Sequence, residues 1–118
     1  MDYDLFSEWL FQELKIEPLP ENIVAFCFNL YESCLDNQFD VQLVGCSQFD
    51  RDNDDWACSS VFTTGENVFS FLASDWEDAL DLFGQVLIKT IECEPLEDLF
   101  KNKHVAYGFV DGDLSLVK

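Results

Sequence analysis

A chain of 118 residues, 48% of them hydrophobic, is one ordinary domain and buries about two thirds of its unfolded surface, which excludes disorder and a two-domain arrangement. Its 24 Asp and Glu against 6 Lys and Arg leave a net charge of −18, about one net negative per 370 Å² of an expected folded surface of roughly 6,600 Å². Phosphate contacts to nucleic acid and docking on anionic membrane both need basic clusters that this composition lacks.

The N-terminus carries Asp2 and Asp4, where a secretory or mitochondrial signal places positive charge. No apolar run approaches the length of a membrane span, so a cytosolic, cytoplasmic protein is expected. From Asp4 to Ile16, Phe6, Trp9, Leu10 and Leu14 recur at three- and four-residue steps opposite Ser7, Glu8, Gln12 and Glu13, the pattern of an amphipathic helix. Pro18 and Pro20 end it. Ile23 to Tyr31 is rich in β-branched and aromatic residues and reads as a central strand; Phe39 to Gly45 alternates as a second strand, with Asp36-Asn37 as the hairpin connection.

Cys46 to Asp55 is the most hydrophilic stretch and is expected to be an exposed loop. Trp56 to Phe62 is expected to return as a third strand, and Thr63 to Asn67 to turn into a short apolar stretch, Val68 to Leu72. Ser74 and Glu77 match a capping box. After it Trp76, Ala79, Leu80, Phe83, Val86, Leu87 and Ile91 trace one helical face for about four and a half turns. Pro95 suits the first position of a shorter helix, Leu96 to Lys101, and His104 to Val110, Asp111-Gly112, and Asp113 to Val117 read as strand, turn and strand. The order α, several β, α, α, β, β predicts a single α+β domain over 1–118: a single-layer antiparallel sheet of four or five strands with helices packed on one face.

Few residues point to catalysis. His104 is the lone histidine, and the chain has no Walker loop, HExxH, GxSxG or paired CxxC. Asp50, Asp52 and Asp54 imitate the opening of a calcium loop, but Asp55 stands where glycine is needed and Val61 where a bidentate glutamate is needed. A solvated acidic loop is the simpler expectation, and Asp111-Gly112-Asp113 is more simply a tight turn than a metal or phosphate element. The odd set Cys27, Cys34, Cys46, Cys58 and Cys93 has no paired spacing and fits reduced thiols in apolar runs. No enzyme activity, cofactor or metal is therefore expected. Trp56 follows directly on Asp54-Asp55. An aromatic beside acids at a loop exit can anchor a partner that the acids steer, although a tryptophan is more often mostly buried. Asp50, Asp52, Asp54, Asp55 and Trp56 are thus the candidate partner-binding residues.

Phe28-Asn29-Leu30-Tyr31-Glu32, Leu43-Val44-Gly45, Asp54-Asp55-Trp56-Ala57-Cys58 and Gly108-Phe109-Val110-Asp111-Gly112-Asp113 together resemble small acidic bacterial immunity proteins of polymorphic toxin and contact-dependent inhibition systems. These stretches are strand and turn residues, and they carry no catalytic or binding set to transfer. The resemblance implies a cytosolic protein that binds and neutralises one toxin domain. Charge points the same way, since a toxin that cuts DNA or RNA needs a basic cleft, which an acidic protein can attract and fill. An acidic adaptor or DNA mimic that blocks a nucleic-acid-binding protein is the alternative.

Overall fold

The computed structural model describes residues 2–15, 19–93, 96–110 and 112–118. Alternation within the central strand sets the architecture. In β1 (Ala25–Glu32) Phe26, Phe28 and Leu30 join one buried cluster, while Ala25 and Cys27 join another on the opposite face of the sheet. The strand β2 (Gln38–Cys46) pairs antiparallel with β1 along its whole length, sending Phe39, Val41 and Leu43 to the first cluster and Val44 and Cys46 to the second. Asn37 closes the hairpin with φ of 58°, a left-handed conformation that asparagine tolerates.

Three helices cover the first face. Phe6, Leu10 and Leu14 of α1 (Tyr3–Lys15), Ala79, Phe83, Leu87 and Ile91 of α2 (Trp76–Ile91), and Leu96 and Phe100 of α3 (Leu96–Phe100) all enter that one cluster. Aromatic rings dominate it. Phe83 lies 5.3 Å from Phe6, 5.6 Å from Phe28 and 5.7 Å from Tyr107 between centroids, edge-on or tilted as ring quadrupoles favour. Gly84 lets α2 approach the sheet, because a Cβ there would strike the Tyr107 hydroxyl. The folded surface of 6857 Å² matches the size expectation, and no helix among the described residues is long and apolar enough to cross a membrane.

The α+β class and the order of elements agree with the sequence, but the sheet does not. It has six strands and is mixed: β5 (His104–Phe109) runs parallel to β1, with β6 (Ser115–Leu116) antiparallel beyond it. An antiparallel sheet of four or five strands is therefore corrected. The cause is the α2–α3 crossover, which returns the chain to the edge of β1 in the starting direction. The extra strand comes from Val68 to Leu72: β3 (Ser60–Thr63) pairs with Val44–Cys46 and β4 (Phe69–Leu72) with Gln38–Val41. Both thus share one edge of β2, which raises the strand count without widening the sheet.

Three local expectations also shift. Trp56 to Cys58 belong to a 3₁₀ turn, Asp54–Cys58, rather than to a third strand, which begins only at Ser60. The N-cap of α2 is Asp75, which accepts from the Asp78 N–H at 2.8 Å, while Asp78 reaches back to the Ser74 N–H at 3.0 Å. The cap therefore sits one residue later than the Ser74 and Glu77 pair, and the returning bond from Asp78 goes to the N–H of Ser74, the residue before the cap, rather than to that of the cap itself. Trp76, on the predicted buried face of α2, is 54% exposed, because the first turn of the helix projects past the end of the sheet. Ile16, Pro18, Pro95 and Asp111, which the sequence assigns to a helix end, a helix stop, a first helical position and a turn, lie outside the described residues.

Candidate partner interface

The acidic loop folds back over the second face of the sheet. Small side chains there, Ala25, Cys27 and Ala106, leave room for the Trp56 indole, which is 5% exposed. Phe49 extends the cover, 5.2 Å from Trp56 and stacked on His104 at 3.7 Å with the rings 7° apart. Burial pushes the thiols beneath well up, Cys27 to about 12 and Cys46 to about 11. All five cysteines are free. The His104 ring has its Nδ1 buried without a hydrogen-bond partner.

Trp56 therefore holds the loop down, while Asp50, Asp52, Asp54 and Asp55 all stay exposed. Their side-chain oxygens and that of Asn53 shape the loop. Asp50 accepts from the Asp52 N–H at 2.9 Å, Asn53 from the Asp55 N–H at 3.0 Å, and Asp54 from the Leu114 N–H at 3.2 Å. The first two are local turns of the kind aspartate and asparagine favour; the third ties the loop to the β5–β6 hairpin. Asp50, Asp55 and the edge of Trp56 line one shallow hollow of about 480 Å³ with Phe49. Asp54 instead borders a smaller cleft beside Arg51 and Leu114, and Asp52 lies in neither. Among the described residues no three His, Cys, Asp or Glu side chains converge as metal ligands would.

A second surface lies at the ends of the parallel strands, where aromatic Tyr31 stands next to acidic Glu32. The parallel strands β1 and β5 end side by side, and Tyr31 and Glu32 at the end of β1, with Phe109 at the end of β5 and Val110 just after it, border a groove of about 680 Å³. Trp76 and Leu80 of α2 form one wall, and Gly112, Asp113 and Ser115 of the hairpin form the other. Val110 is 62% exposed. Burial, with the charge of Asp40 adding to it, raises the Tyr31 phenol above its ordinary value. Leu80 also borders a neighbouring hollow of about 570 Å³ with Asp75, Glu77, Asp78 and Asp81. Apolar floor and acidic rim thus run together, with no lysine or arginine among the described residues of either lining.

Gly108 fixes the hairpin wall. A Cβ there would meet the Asp113 carbonyl oxygen at 2.5 Å, so only glycine lets the returning strand close on β5. The sequence did hold a clue to the groove. Asp75-Trp76-Glu77-Asp78 repeats the aromatic-among-acids pattern of Asp54-Asp55-Trp56, but helical periodicity assigned Trp76 to the core.

No protein-family model, curated protein or solved structure matches this chain.

Proposed function

We propose that this is a cytoplasmic immunity protein that binds and neutralises a basic, nuclease-type bacterial toxin domain, without catalysis and without a cofactor. The observation that carries the proposal is the charge: −18 on 118 residues, with Asp50, Asp52, Asp54 and Asp55 held exposed on a loop anchored by Trp56. Such a surface raises the encounter rate with a cationic cleft and rejects nucleic acid itself. The resemblance to immunity proteins of polymorphic toxin systems supports the same role.

The test is protection. Cells making this protein are challenged with the toxin domain encoded beside its gene, and survival specific to that one domain is the expected result. No protection, together with competition against DNA at several unrelated DNA-binding proteins, would move the assignment to a DNA mimic. Stopped-flow association with the toxin domain then reports the loop. The double variant Asp52→Asn, Asp54→Asn retains the acceptor for the Leu114 N–H, so it removes charge without releasing the loop. It should lower the on-rate at low salt and converge with the parent as the Debye length shrinks from about 30 Å at 0.01 M to about 8 Å at 0.15 M.

A further inference from the structure

We infer that the groove bordered by Trp76 takes an arginine of a basic partner, its guanidinium stacked on the indole and paired with the carboxylate of Glu32 or Asp113. This rests on the basic-partner reading above and adds to it a surface and a side-chain chemistry.

Trp76 is 54% exposed at the first position of a helix whose later positions Ala79, Phe83 and Leu87 on the sheet-facing side are fully buried. Large apolar groups left open beside a concave surface mark interaction sites. The occupant's chemistry follows from the lining. Tyr31, Leu80 and Phe109 offer an apolar bed, Trp76 a π-face, and Glu32 and Asp113 the charge. An acidic group would be repelled, and a purely apolar one would leave the carboxylates facing it without a partner. Lysine meets the charge, but it is strongly hydrated and has no plane to stack. Arginine meets every element, since it lays its stem on the bed, stacks its planar cation on the indole and forks to a carboxylate.

The acidic loop is tied to one wall of the groove. The Asp54 bond to the Leu114 N–H fastens the loop to the same hairpin whose neighbouring residues, Asp113 and Ser115, form the groove wall. Tryptophan and arginine are the side chains that most often carry interface energy.

The probes are octa-arginine and octa-lysine peptides added at low salt to the full ¹⁵N-labelled chain. Octa-arginine should shift the Trp76 indole N–H and the Val110 amide saturably, leave the buried Trp56 indole unmoved, and bind more tightly than octa-lysine. Trp76→Ala should weaken octa-arginine by about 5- to 30-fold and change octa-lysine little. Glu32→Gln, at an exposed strand end and so safe for folding, should weaken octa-arginine by about two- to fivefold. Equal affinities for the two peptides, or shifts confined to Asp50–Asp55 with neither variant weakening binding, would overturn the groove while leaving the basic-partner reading intact. Failure of both peptides to bind at low salt would overturn both.

Discussion

Phe83→Ala and Trp76→Ala separate two positions that helical periodicity treats alike. Phe83 is fully buried and touches Phe6, Phe28, Phe71 and Tyr107. Truncating a buried phenylalanine costs about 3–5 kcal/mol, through lost transfer energy and the cavity left behind. With about 2.1 cal/mol/K of unfolding entropy per residue, the 118 residues give about 250 cal/mol/K, so the melting temperature should fall by about 12–20 °C. Trp76 keeps 54% of its surface in water. Roughly 100 Å² of burial is then involved, about 2.5 kcal/mol as an upper bound. Alanine's better helix propensity and a compact unfolded chain trim this to about 1–2 kcal/mol, or about 4–8 °C. Thermal melts followed by far-UV circular dichroism, with urea titrations to confirm an unchanged slope, read both values. A loss for Trp76→Ala equal to or larger than that for Phe83→Ala would refute the placement of the α2 N-terminus outside the core.

Asp75→Ala should cost about 1 kcal/mol by removing the cap on the Asp78 N–H, and Ser74→Ala less, measured by chemical denaturation; the reverse order would return the cap to Ser74. A thiol reagent at pH 8 should modify the exposed Cys34 and Cys58 first and reach Cys27 and Cys46 only on unfolding. Two stable disulfides in fresh protein, or unfolding by reductant, would contradict free core thiols. Because burial raises the folded-state values of Cys27 and Cys46 to about 12 and about 11, the folded chain holds protons that the unfolded chain has released above about pH 9. Their contribution is complete below that pH and is lost as pH rises toward 12, so urea midpoints should fall across this window, and less so in a Cys27→Ala variant. Calcium should bind the Asp50 to Asp55 loop no more tightly than millimolar by calorimetry, since three of its side chains already accept backbone N–H groups; a low-micromolar dissociation constant would overturn this.

Most of what depends on neighbours in the chain was legible in the sequence, apart from the 3₁₀ turn at Asp54–Cys58 and the one-residue shift of the α2 cap. The 3.6-residue recurrence of Ala79, Phe83 and Leu87 specifies α2, the alternation of Phe39, Val41 and Leu43 specifies β2, and the excess of carboxylates specifies a surface that repels phosphate. The exposed acidic loop follows from composition in the same way. Beyond the two hairpins that turn residues mark, β1 with β2 and β5 with β6, strand partners did not follow, because alternation records which side of a strand is buried and nothing of which strand lies beside it. The parallel pairing of β5 with β1, and the sharing of one β2 edge by β3 and β4, depend on where the crossover and the bulge between Gly45 and Cys46 put the chain. The tryptophans show the same division most sharply. Asp55-Trp56 and Asp75-Trp76 are the same dipeptide in similarly acidic company, yet Trp56 is buried and Trp76 stands half in water. The difference lies in what each indole faces: the small side chains of Ala25, Cys27 and Ala106, far apart in sequence, make a recess for Trp56, whereas Trp76 stands where the sheet ends, beside an open groove, so tertiary packing alone decides which is core and which is surface.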